Sequence, residues 1–463
     1  MKIDDEKEKN RYSLQMENFS STAKLADDVS KRKSEEAMAS ENYNPFENRK
    51  IDNPTTFNGA LAHLLKSSLG SGILAMPMAF KNGGLAFGLV GTVVVGFICA
   101  HCVHMLVRCS HILSKRIMVP SLTFAGTAEA AFETGPPATR RFSSIARQII
   151  NSALVLTYYA GNTIYVVFIA SSIQQVVEYH LSPNINIRLY ILMIWVPLMV
   201  LCLVRDLKNL VPFSVTANLF IVASFAITLY YMFTDIPDMS TRNQIASFDK
   251  LPLFFATVIF AMEGIGTVMP IENHMKEPEK FLSCCGVLQI SMSVVVVLYG
   301  VIGFFGYLKF GEETEGSVTL NLPVEDILAQ VVKILIAIAI FFTYALQFYV
   351  PTSIVWEIIQ HKFPPHKERY YNYALRMITV TGTVILAAAV PNLGPIISLV
   401  GSVCFSVLGL LLPAVIDLVT RAELGYGAFK WIFVKDVIIM VIAIIALCAG
   451  TYTSFLDIIH AYT

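Results

Sequence analysis

The sequence predicts an all-α polytopic membrane protein: eleven transmembrane helices in a five-plus-five inverted repeat, with one extra helix. Three observations predict it. The 463 residues are 55% hydrophobic and 15% charged, against about 25% charged in an average soluble protein, and mean hydropathy is +0.60. Eleven apolar stretches approach the ~20 residues a bilayer demands. The first and sixth of these are each broken by glycines near their middles.

The spans run approximately 57–80, 84–108, 147–175, 188–204, 212–233, 251–272, 283–308, 326–350, 373–390, 393–416 and 434–456. Repeat one covers about 57–233, repeat two about 251–416, and the extra helix about 434–456. Spans nine and ten are separated only by Pro391-Asn392-Leu393-Gly394-Pro395, where two prolines around a glycine make a tight turn. In the long connection 109–146, alanines and Phe/Leu spacing from Ser121 to Phe132 predict a short interfacial helix, ended by Gly135-Pro136-Pro137. With the N-terminus inside, thirteen Lys and Arg fall in inner loops and five in outer ones. That bias predicts a cytosolic N-terminus and an extracellular or lumenal C-terminus.

Residues 1–52 differ from the rest. They are polar and charged, cannot bury enough surface to offset ordering entropy, and read as a disordered cytosolic tail. The tail has no apolar h-region with a cleavage site, so no signal peptide is expected. Tyr43-Asn44-Pro45-Phe46 has the form of a tyrosine-type sorting signal. Residues 53–456 form the transmembrane domain. Net charge is zero, which gives no support for a nucleic-acid partner. The eight cysteines lie in apolar runs or at their ends, so no extracellular disulfide is expected.

The broken segments are Gly70-Ser71-Gly72-Ile73-Leu74-Ala75-Met76-Pro77 and Glu263-Gly264-Ile265-Gly266-Thr267-Val268-Met269-Pro270. Glycine and proline weaken a helix by about 1 and 3 kcal/mol relative to alanine. In hydrocarbon, opened backbone survives only against protein or a wet cavity. Two such breaks in corresponding places of two halves point to the substrate site of a secondary transporter. Freed N–H groups suit a carboxylate and freed carbonyls suit an ammonium, so one site offering both suits a zwitterion. Gly70, Ser71, Gly72, Ile73, Phe260, Glu263, Gly264, Gly266 and Thr267 are the candidate binding residues. The competing reading is that the glycines serve tight helix packing.

Ionisable groups inside a membrane are functional candidates by default. His63 is a candidate proton carrier, because imidazole titrates between pH 5 and 8. Its alternative is a neutral ring satisfied by a carbonyl. Lys66 either snorkels or pairs with a carboxylate, Glu263 being the nearest in kind. Glu263 either couples protons or caps the second half of span six. Cys99-Ala100-His101-Cys102-Val103-His104 resembles a metal cluster only superficially, so no metal is expected. No nucleophile–base pair, phosphate loop or cofactor fingerprint is present, so neither an enzyme nor a cofactor is expected.

Ala62-His63-Leu64-Leu65-Lys66 before Gly70, and Phe260-Ala261-Met262-Glu263-Gly264-Ile265-Gly266 with Met269-Pro270-Ile271-Glu272-Asn273, resemble the first and sixth spans of the proton-coupled amino acid transporters, in the amino acid/auxin permease group. His101 to Val107 and Thr343 to Tyr349 also resemble that family, and the pattern is nearest its invertebrate branch. The resemblance covers about residues 53–456. It implies an APC/LeuT-like fold and sodium-independent, proton-driven symport of small neutral amino acids such as alanine, glycine and proline. It also implies a proton-coupling role for His63 and a place near the substrate for Tyr165. The chain departs from the family at Ala160-Gly161-Asn162-Thr163, where members often carry Gly and Cys, and lacks the outer-loop cysteines of vertebrate members. The expected location is the plasma membrane, the lysosomal membrane or both. A second expectation stands beside transport: an amino-acid-sensing scaffold whose tail recruits cytosolic signalling partners.

Overall fold

A computed structural model describes residues 43–68, 70, 72–181, 185–204, 207–262 and 264–462. Most of the expected tail, and the candidates Ser71 and Glu263, lie outside the described residues. The first half comprises α1 (Phe57–Ser68), α2 (Gly72–Gly83), α3 (Leu85–Arg116), α4 (Phe124–Thr134), α5 (Ser143–Leu181), α6 (Ile187–Cys202) and α7 (Leu207–Phe233). The second comprises α8 (Leu251–Ala261), α9 (Ile265–Asn273), α10 (Val287–Phe310), α11 (Ile327–Ile359) and α12 (Glu368–Ala389). It closes with a continuous rod of α13 (Leu393–Val400), a π-helix (Gly401–Leu411) and α14 (Leu412–Leu424). The last helix is α15 (Trp431–Tyr462). Among the described residues nine helical segments are long and apolar enough to cross a membrane, while α6 is shorter and α1 and α2 have 12 residues each.

Helices pair with their counterparts in the other half. The α2 helix packs on α8, α3 on α10, α5 on α11, and α6 on α12. This is the contact pattern of two interleaved repeats, and it buries α2 and α8, the halves of the broken helices that cross at the centre. The α15 helix lies outside them, exposing Val441, Ile444, Ile445 and Tyr452. Exposed valines, leucines and isoleucines on the other outer helices form the surface expected against acyl chains.

The short helix of the long inner connection forms as α4. Thr123 caps it by accepting from the Gly126 amide, and Gly135 follows its end. It buries Phe124, Ala125, Ala128 and Ala131, and packs on α5 and α14. The turn between spans nine and ten falls at Pro391-Asn392, between α12 and α13.

The tail boundary differs from expectation, because residues 43–52 carry specific contacts with the body. Arg49 donates to the carbonyls of Pro120 at 2.9 Å and Glu272 at 3.2 Å. Its guanidinium also lies 3.0 Å from the Glu272 carboxylate, and both side chains are almost fully buried. His111 reaches the same carboxylate oxygen at 2.8 Å. Phe46 meets the His111 ring edge-on at 4.9 Å, so the Tyr43–Phe46 motif is part of this packing. Thr55 then exchanges backbone hydrogen bonds with His274 and Lys276. Charge and ring contacts hold this segment where its composition alone reads as disorder.

Candidate functional site

The breaks in spans one and six face each other. Helix α1 ends at Ser68 and α2 begins at Gly72. Helix α8 ends at Ala261, and α9 restarts after Gly264 in a non-helical conformation. A Cβ on Gly72 would stand 2.8 Å from the Ala261 Cα, so the two backbones touch there. A Cβ on Gly264 would stand 3.3 Å from the Ser68 Oγ. Glycine permits both approaches because it has no side chain. The prolines behave differently from expectation. Pro77 and Pro270 each lie five residues into a restarted half-helix, inside α2 and α9. The glycines mark the breaks, and Met-Pro belongs to the helix beyond.

Opened backbone groups find partners. The Tyr299 hydroxyl, fully buried on α10, donates to the Ser68 carbonyl left by the end of α1. Thr267 Oγ1 lies 2.8 Å from the Gly264 carbonyl and 3.1 Å from Ser67 Oγ, tying α9 to α1 across the site. Removing the Tyr299 hydroxyl leaves a buried carbonyl unpaired, which costs about 1–3 kcal/mol. Tyr299→Phe is therefore expected to lower the melting temperature of the purified protein, and an unchanged melting curve would exclude this role.

A cavity of about 100 Å³ opens between the breaks. Of the expected site residues, Gly70, Gly72, Tyr165, Phe260, Gly264, Gly266 and Thr267 line it. Ile73 and Lys66 instead line a larger chamber of about 790 Å³, which shares Ser67, Gly70, Tyr165 and Gln347 with the cavity. His63 is exposed on α1 and lines neither space. The phenyl rings of Phe260 and Phe405 meet at 5.6 Å along one wall. Phe405 comes from the π-helix, a local widening that recurs at functional sites. Gly401 within it lets α8 approach, since a Cβ there would stand 2.0 Å from the Ala256 carbonyl oxygen.

Residues beyond the expected set complete the lining. Asn162 is fully buried on α5, and both polar atoms of its amide lack a partner among the described residues. It lines the cavity beside Gly161, whose missing Cβ faces open space. An amide in an apolar run was the available signal. Gln347 lies in the 343–349 stretch that resembles the transporter family, whereas nothing local singles out Tyr299 or Phe405. Among the described residues no group of three His, Cys, Asp or Glu side chains is placed to hold a metal ion.

Comparison with known proteins adds to this geometry. Residues 53–456 match the family described as transmembrane amino acid transporter protein. The chain is 43% identical over 433 residues to the proton-coupled amino acid transporter-like protein pathetic of Drosophila melanogaster, covering 94% of this chain and 92% of that one. It is 26% identical over 426 residues to amino acid transporter AVT3A of Arabidopsis thaliana, covering 90% and 93%. Among solved structures it resembles Mhp1, a nucleobase-cation-symport-1 family transporter in a closed conformation with bromovinylhydantoin bound. The TM-score is 0.53 at 12% identity, covering 89% of this chain and 93% of that one. That likeness concerns the fold, and it agrees with the expected APC/LeuT-like architecture with broken helices one and six.

Proposed function

Because this chain belongs to the transmembrane amino acid transporter family, we propose that it is a proton-coupled, sodium-independent symporter of small neutral amino acids. It works by alternating access through eleven membrane crossings, with its N-terminus in the cytosol. The observation that carries the reading is the cavity at the crossed breaks, with the Asn162 amide buried in its wall and without a partner among the described residues. An unpaired buried amide is costly, and a polar ligand group relieves that cost. At about 30 Å³ per water, the space of about 100 Å³ takes about three waters, which is room for a small ligand and not for a bulky one. That is the size class of alanine, glycine or proline.

In this reading Gly70 and Gly264 let the zwitterion approach bare backbone, while Gly72 and Gly266 let Ala261 and Tyr158 pack closely at the cavity wall. Thr267 and Asn162 offer side-chain hydrogen bonds. Phe260, Phe405 and Tyr165 exclude water. Ser71 and Glu263 are assigned to the same site by their place in the two breaks. His63 carries the proton from outside the cavity, acting through the tilt of α1. Proton coupling is supported by the name of the Drosophila relative.

The test is uptake of labelled alanine, glycine and proline into sodium-free proteoliposomes. Accumulation is expected only with an inward proton gradient. Accumulation that requires sodium, or none under any gradient, overturns the proposal. His63→Ala is expected to fold normally and to lose pH-driven accumulation while retaining exchange of internal for external substrate. Full proton coupling in that variant would remove His63 from the mechanism.

A further inference from the structure

A lateral groove of about 830 Å³ runs between α3, α10, α14 and α15. It shares no lining residue with either space at the helix breaks. One end is apolar, where Val93, Phe97 and Val297 are exposed to the surroundings. The other end gathers Arg108, Arg421 and Lys435. On α3, Val93 and Arg108 are separated by about 22 Å at 1.5 Å per residue. That exceeds the ~15 Å hydrocarbon depth of one leaflet.

The charges at the polar end do not all cancel locally. Asp417 takes Arg421 at 3.2 Å and Lys435 at 3.3 Å, and Lys435 also lies 3.0 Å from Asp436. Two carboxylates thus face two cations. Arg108, exposed on α3, makes no ion pair or hydrogen bond among the described residues, and adds a surplus cation. The rings of His101 and His104 stack parallel at 6.4 Å beside it. The His101 Nε2 is buried without a hydrogen-bond partner among the described residues. Trp431 is exposed at the same end, 6.0 Å from the Lys435 ammonium, and exposed tryptophan marks the headgroup level of a membrane protein.

We propose that this groove binds an anionic phospholipid. The headgroup phosphate sits at Arg108, Arg421 and Lys435, and an acyl chain lies along Val93, Phe97 and Val297. A guanidinium beside an ammonium matches phosphate oxygens. The apolar length opens sideways, where only a chain from the bilayer can cover it. A soluble anion would satisfy the cations and leave that wall bare.

The experiment uses the full-length protein purified in mild detergent. Dioleoyl phosphatidylglycerol, dioleoyl phosphatidylcholine and inorganic phosphate are added separately, and retention is read by native mass spectrometry with melting curves in parallel. Phosphatidylglycerol is expected to bind more tightly than phosphatidylcholine. Arg108→Gln is expected to weaken phosphatidylglycerol about five-fold, the usual scale for one basic residue near an anionic lipid. Val297→Trp, at an exposed position, is expected to weaken both lipids by blocking the chain. Equal retention of the two lipids overturns the proposal, as does unchanged phosphatidylglycerol binding in both variants. Stabilisation by inorganic phosphate alone, equal to that by phosphatidylglycerol, assigns the site to a soluble anion and also overturns it.

Discussion

Gly72→Ala is expected to cut alanine uptake at least ten-fold, although alanine is the better helix former. The new Cβ would stand 2.8 Å from the Ala261 Cα and 3.0 Å from its carbonyl oxygen. These are backbone atoms, so no side chain can swing away. Either the two broken helices separate or the helix beyond the break shifts, and overpacking of this kind costs about 1–3 kcal/mol. The cavity depends on that crossing, so its geometry changes with the contact. Gly382→Ala on α12 is the control, because nothing lies within 4 Å of its missing Cβ. It should keep full uptake and gain about 0.5–1 kcal/mol of helix stability. Measuring uptake per folded protein in both variants decides the matter. Wild-type transport by Gly72→Ala would show that the crossing is not part of the site.

Glu272→Ala should destabilise the protein strongly and open the side on which α1 begins. Its carboxylate is fully buried between Arg49 at 3.0 Å and His111 at 2.8 Å. Removing one partner of a buried pair leaves an uncompensated charge, at a cost of about 3–5 kcal/mol. The pair joins the segment before α1 to the end of α9, which are the outer ends of the two broken helices. Any motion that swings α1 away from α9 must part these groups. Arg49→Ala should behave alike, and the double variant should lose less than the sum of the two. Melting temperature reports the stability. Thiol labelling of Ser67→Cys, which sits in the cavity wall, reports the opening. A strictly additive cycle, with no change in labelling, would reduce this contact to an ordinary surface pair.

The breaks at Gly70–Gly72 and at Gly264 were legible because glycine's cost to a helix is local and independent of its neighbours. The turn at Pro391-Asn392 was legible for the same reason, as was the Thr123-capped helix α4. The role of the Met-Pro pairs was misread. A proline five residues into a half-helix loses one hydrogen bond and is supported by its packing, as Pro77 is against Gly306. The order of residues 43–52 was hidden, because Arg49 and Phe46 gain their places from Glu272 and His111, far away in sequence.

Hydropathy, charge bias and paired glycine breaks are properties of short windows of sequence. They determined a helical membrane protein, its approximate spans and the two segments where helices break. The rest is set by distances between segments that no window contains. Tertiary structure alone decided that Tyr299 caps the Ser68 carbonyl, that Phe405 reaches the cavity from a π-helix, and that the Asn162 amide is buried there with no partner among the described residues. In a bilayer almost every span is uniformly apolar, so periodicity cannot say which face of a helix meets which neighbour. Only packing of the two repeats against each other makes that choice.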